Sequence, residues 1–119
     1  MAKKDLIKLR QKKEDAAFIN PELAEEHKEK ANELMKVGKI PEAIEEYSIA
    51  IRWNPTSAAL YSNRCMAYTK VMDLGNALKD AEKGLELDPT FVKLYVRKGN
   101  VYNLMKTYHK ALDTFDKGL

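Results

Sequence analysis

Cysteine, glycine and proline are scarce in this sequence, and each shortage removes a class of structure. A single cysteine, Cys65, excludes an internal disulfide and fits a reducing compartment. Five glycines and four prolines in 119 residues leave little turn chemistry for a many-stranded β fold. No apolar run approaches the roughly 18 residues needed to cross a bilayer, and no signal-peptide core follows the charged N-terminus. Glycine-rich phosphate loops are missing as well. With 45% hydrophobic and 33% charged residues, the chain reads as neither a disordered tail nor a membrane protein. Its length allows one core, and the expectation is a soluble, cytoplasmic protein.

The formal net charge of +3 is unevenly divided. Lys3, Lys4, Lys8, Arg10, Lys12 and Lys13 face only Asp5 within residues 1–13, a net of +5 that leaves −2 for the remainder. A basic leader precedes a mildly acidic body. A nucleic-acid-binding domain would carry the positive charge on its body, so that class is disfavoured.

What the chain does have is a period. Pro21, Pro55 and Pro89 are spaced by 34 residues, as are Ala43, Ala77 and Ala111. Leu34, Tyr68 and Tyr102 keep the same spacing, and so do Ala50, Gly84 and Gly118. Numbered from Ala24, Ala58 and Val92, each unit reads as two amphipathic helices joined by a short turn. The eighth column (Ala31, Cys65, Gly99) and the twentieth (Ala43, Ala77, Ala111) are small, which lets the two helices of a unit approach closely. Tyr47, Phe115 and the Leu34 column fill the spaces between, and Ile44, Leu78 and Leu112 continue the buried stripe. Pro55 and Pro89 follow second helices, where they stop a helix without breaking it.

These columns resemble the tetratricopeptide repeat (TPR), over residues 24–119. The resemblance implies an all-α helical-hairpin solenoid of three repeats, 24–57, 58–91 and 92–119, the last truncated. Residues 1–20 would form a basic helical linker before the repeat domain at 21–119. Several signature positions depart from the pattern. His27, Tyr61 and Tyr95 replace the usual tryptophan, and Lys30, Arg64 and Lys98 the usual leucine. The turn glycine survives as Gly38 but gives way to Met72 and Lys106, and Ala81 stands where an aromatic is typical.

A repeat fold does not specify a function, so the concave face formed by the first helices must be read directly. By helical spacing that face carries Glu25, Lys28, Glu29, Asn32, Met35 and Lys36 in the first unit. It carries Ala59, Ser62, Asn63, Met66, Thr69 and Lys70 in the second. The third contributes Lys93, Val96, Arg97, Asn100, Asn103 and Leu104. Five cations against two anions concentrate positive charge there. Lys28 and Asn32 are four apart, as are Lys93 and Arg97, with Asn63 on the helix between. Two ammonium groups, a guanidinium and two amides converging on one groove suit a ligand end with two carboxylates.

The set Lys28, Asn32, Asn63, Lys93 and Arg97 resembles the dicarboxylate clamp of chaperone-binding TPR domains. That resemblance implies recognition of the Glu-Glu-Val-Asp C-terminus of seventy- and ninety-kilodalton heat-shock chaperones, with Lys70 as an accessory contact. Met35, Met66, Thr69 and Asn100, with Glu29 and Asn103, would select among peptides upstream of the terminal Asp. The stretch Ala17-Phe18-Ile19-Asn20-Pro21-Glu22-Leu23-Ala24 behind a Lys/Arg-rich segment resembles the start of the third TPR module of the Hop/Sti co-chaperone family. A linker helix over residues 3–17 would then pack through Leu6, Leu9, Ala16 and Ala17, and the seventy-kilodalton class would be preferred.

No catalytic or metal-binding set emerges. His27 and His109 lie in different units without a partner at zinc-ligand spacing, and Cys65 sits in a small-residue core column. The expectation is an adaptor, with no cofactor and no enzyme activity. The rival expectation is a scaffold or targeting segment of a larger enzyme such as an immunophilin, phosphatase or ubiquitin ligase. The third unit reaches only its position 28 at Leu119, so Leu112, Phe115 and Leu119 are expected to leave an apolar end that promotes self-association.

Overall fold

The computed structural model describes the backbone of residues 19–118 and the side chains of residues 19–109. Five helices follow one another: α1 Pro21–Lys36, α2 Ile40–Trp53, α3 Ala58–Lys70, α4 Leu74–Leu87 and α5 Val92–Gly118. No strand occurs among the described residues. The expected linker helix, with Leu6, Leu9, Ala16 and Ala17, lies outside them.

Local chemistry sets the helix starts. The Asn20 side chain accepts from Leu23 N at 3.1 Å, and Pro21 supplies a first residue that needs no donor. Ser57 and Asp73 cap α3 and α4 in the same way. α2 starts at Lys39 without a side-chain cap, but Pro41 lies in its first turn. Between α1 and α2 the chain reverses through Gly38 at φ 82°, with Lys39 N donating to Leu34 O and Gly38 N to Met35 O. That is the paired bonding of a Schellman end.

The second turn repeats this bonding without glycine. Asp73 N donates to Tyr68 O and Met72 N to Thr69 O, with Met72 held at φ 61°. A side chain in this left-handed region costs about 1–2 kcal/mol. Met72 is exposed, so its side chain offsets little of that cost. Met72→Gly is therefore expected to raise stability by about 0.5–1 kcal/mol, read as a higher denaturation midpoint at unchanged slope. A lower midpoint would show that the Met72 side chain stabilises more than its backbone costs.

The third unit departs from expectation. Instead of turning near Lys106, α5 runs unbroken for 27 residues. Neither Lys106 nor Thr107 favours left-handed backbone, and the Thr107 hydroxyl donates to Asn103 O within the helix rather than capping a new one. The small-residue column shows the consequence. Ala31 with Ala43 and Cys65 with Ala77 are fully buried, whereas Gly99 is exposed with nothing near its missing Cβ. Leu112, Phe115 and Leu119 lie outside the residues whose side chains are described.

The core is a chain of three clusters along the stack. Ala24, Ala50, Ile51 and Leu60 form one; Ala31, Ala43, Tyr47 and Ala67 another; Cys65, Ala77, Ala81, Leu94 and Val101 the third. Gly84 permits the closest approach, since a Cβ there would stand 2.4 Å from Leu94 Cδ1. One departure in the second unit has a clear partner. Arg64 replaces a leucine and donates to both Asp80 carboxylate oxygens at 2.7 Å and to Ser48 Oγ at 3.0 Å. Its guanidinium also lies against the Tyr61 and Tyr68 rings, at 5.6 and 5.7 Å. The small Ala81 is fully buried in the cluster with Cys65, Ala77, Leu94 and Val101. Thus a buried ion pair joins α2, α3 and α4.

Candidate peptide-binding groove

Arg97 is the residue that gathers the groove. It belongs to α5, yet its Nε donates to Ser62 Oγ on α3 at 2.9 Å. Its charge also reaches the first unit: burial pushes the Tyr47 hydroxyl up from its ordinary pKa, and the Arg97 guanidinium opposes that shift. Arg97 therefore bonds the second unit directly and acts on the first through its charge. The bond through Nε leaves both terminal amino groups of the Arg97 fork without a partner among the described residues. Such a fork matches the geometry of a carboxylate.

Asn32 contributes from α1. Its Oδ1 accepts a short hydrogen bond from the Tyr47 hydroxyl, so its amide hydrogens are left to donate. Asn63 follows Ser62 on α3, half-buried, and its amide has no side-chain partner among the described residues. Lys93 lies one turn before Arg97, exposed and likewise unpaired. Lys28 is less free than the sequence suggested. Its ammonium donates to Glu25 Oε1 at 2.6 Å, an i,i+3 pair on the same helix. A competing carboxylate must displace Glu25 or share the ammonium with it. Lys70 is exposed at the end of α3, with no contact tying it to the other five.

The selectivity set divides. Met35 is half-buried and packs against the cluster of Ala31, Ala43, Tyr47 and Ala67, so most of its role is in the core. Thr69 spends its hydroxyl on Cys65 O at 2.7 Å. Met66 is half-buried, and Asn100 is exposed on α5. Cys65 is fully buried, and burial pushes its thiol up, which keeps it out of thiolate chemistry.

An open cleft of about 950 Å³ lies on the first unit and shares only Asn32 with the six clamp and accessory residues, and Glu29 with the selectivity set. Glu26, Glu29, Glu33 and Glu46 line it against Lys30 and Lys36, a net negative wall that disfavours an anionic ligand. The groove around Arg97 is the better candidate because its free groups are donors and cations. No helix among the described residues is long and apolar enough to cross a membrane, and no group of three metal-ligating side chains occurs among them. Sequence reasoning placed Ser62 on the face without a role and took Tyr47 as a space-filler.

Comparison with known proteins gives the setting. No family model matches the chain. The Hsp70-Hsp90 organizing protein of Triticum aestivum is 51% identical over 118 residues, which is 99% of this chain and 19% of that protein. The chain spans about a fifth of the length of the curated relatives it matches. Among solved structures, the TPR2AB-domain:pHSP90 complex of yeast Sti1 superposes with a TM-score of 0.77 at 36% identity, covering 95% of this chain and 44% of the other. The TPR2B-domain:pHsp70 complex of yeast Sti1 gives 0.68 at 36% identity, covering 78% of this chain and 74% of the other.

Proposed function

The chain belongs to the tetratricopeptide-repeat modules of the Hop/Sti family, and on that premise we propose that it is a co-chaperone peptide-binding module. Its ligand is the Glu-Glu-Val-Asp C-terminus of seventy- and ninety-kilodalton heat-shock chaperones, held as part of an adaptor in chaperone assembly. The observation that carries this reading is Arg97, bonded to the second unit, felt electrostatically in the first, and open at its fork. Asn32, Asn63, Lys93 and Lys28 complete a clamp for the two carboxylates of the terminal Asp, with Lys70 as an accessory contact. Met66 and Asn100 face residues upstream and adjust selectivity, and the seventy-kilodalton class is preferred.

In this reading residues 21–119 form the binding unit and residues 1–20 a basic linker. The module works in the cytoplasm, without catalysis or cofactor. Its work is to hold a chaperone tail, not to change it.

Titrating a peptide ending in Glu-Glu-Val-Asp against its C-terminally amidated form tests the proposal. Amidation removes one of two charge-assisted anchors, and the free acid is expected to bind about 10- to 100-fold more tightly. Rising salt should narrow the gap. Equal affinity for the two forms, or none for either, would leave the scaffold reading in its place. Parallel titrations with the two chaperones' own tails rank the classes.

A further inference from the structure

Two hydroxyls in this structure are buried more deeply than any role as filler requires. Tyr47 is 0% exposed and Ser62 1%, and they are among the largest fully buried side chains described. A buried hydroxyl without a partner is costly, so what each one bonds is informative. Tyr47 on α2 donates to Asn32 Oδ1 on α1, and Ser62 on α3 accepts from Arg97 Nε on α5. Each therefore spends its recorded bond on a residue of the candidate clamp. No buried side-chain nitrogen or oxygen among the described residues lacks a partner.

We propose that Tyr47 and Ser62 are positioning residues of the clamp, fixing the donor orientation of Asn32 and the fork of Arg97. The inference rests on the clamp reading above. An asparagine amide can turn over, presenting either its oxygen or its nitrogen to a ligand. A phenol hydrogen bonded to the oxygen pins the amide so that its N–H groups face the groove. An arginine can bind a carboxylate through two terminal nitrogens or sideways through Nε. Occupying Nε with Ser62 leaves the terminal edge for the ligand. Both devices remove freedom before binding, and a preorganised site gains affinity by that amount.

The repeat columns set this pair in context. Asn32 is in one column with Met66 and Asn100, and Tyr47 in one column with Ala81 and Phe115. Tyrosine and asparagine coincide only in the first unit. Where the aromatic becomes Ala81, the asparagine becomes Met66; the third unit keeps Asn100 with Phe115, but α5 does not turn back there and offers no comparison. The packing that the Tyr47 ring provides in its cluster would be served equally by Phe. The hydroxyl answers to Asn32.

The test uses Tyr47→Phe and Ser62→Ala, with affinities for the free-acid and amidated peptides and thermal unfolding measured on each. Each variant should bind the free acid about three- to tenfold more weakly, with little change toward the amide. A double-mutant cycle separates positioning from general loosening. Ser62→Ala should cost nothing further in an Arg97→Ala background, and Tyr47→Phe nothing further in an Asn32→Ala background. Ser62→Thr keeps the hydroxyl and should restore discrimination between free acid and amide. Equal losses with and without the clamp partner would overturn the proposal, as would unchanged affinity in both single variants. If the wild-type chain itself fails to distinguish free acid from amide, it is the clamp reading that falls.

Discussion

Replacing Lys93 and Arg97 together by Ala is expected to weaken binding of a Glu-Glu-Val-Asp peptide by at least about 100-fold. Hydrogen bonds to charged groups are worth about 1.5–3 kcal/mol each, and every 1.4 kcal/mol is tenfold in affinity. Two such groups lie one turn apart on α5, both with unpaired donors. The effect on folding should be unequal. Lys93 is exposed and makes no hydrogen bond or ion pair among the described residues, so Lys93→Ala alone should leave the melting temperature unchanged. Arg97→Ala strands the buried Ser62 hydroxyl and should cost about 1 kcal/mol of stability. Isothermal titration with thermal unfolding on the same samples reads both effects. Retained affinity in a folded double variant would remove Lys93 and Arg97 from the site.

Asp80→Ala is expected to cause a large loss of stability. Burial pushes the Asp80 carboxyl up from its ordinary pKa, and the Arg64 hydrogen bond pulls it back. Removing Asp80 leaves the Arg64 guanidinium in a half-buried site with only Ser48 Oγ and two tyrosine rings. Breaking a buried pair from one side costs about 3–5 kcal/mol. At about 4–8 °C per kcal/mol for a domain of this size, the melting temperature should fall by at least about 12 °C. Replacing both partners is a different experiment. Arg64→Leu with Asp80→Leu restores the leucine usual at that column and should recover most of the loss, because two well-packed apolar side chains need no compensation. A single Asp80→Ala variant within about 1 kcal/mol of wild type would show that Arg64 reaches solvent and needs no partner.

These two expectations draw on different sources. The proposed clamp side chains could be picked out in the sequence because helical spacing puts Lys28 with Asn32 and Lys93 with Arg97 on one face, in a pattern that resembles the family's clamp. Nothing in the sequence ties Arg64 to Asp80. They are 16 residues apart on separate helices, and the pairing exists only once α3 and α4 fold together. The sequence marked Arg64 and Ala81 as departures but contained no signal that Asp80 balances the first.

What the sequence alone determined is local or periodic. The 34-residue spacing fixes which residues are small, which are bulky and where hairpins recur, because every repeat must bury the same stripe against its neighbour. Helix caps at Asn20, Ser57 and Asp73 are local too, since a cap bonds only two or three residues ahead, but only the structure identifies them. Tertiary structure decided the rest. The third turn does not form at Lys106, although the period calls for one, because left-handed backbone is costly without glycine and no described segment packs over Gly99 to offset it. The same turn does form at Met72, where the return of α4 buries Ala77 and Ala81 against Cys65. Likewise, Tyr47 and Ser62 take their meaning from partners 15 and 35 residues away in sequence. A hydroxyl's partner depends on which helices meet, and only the folded stack brings α1 to α2 and α5 to α3.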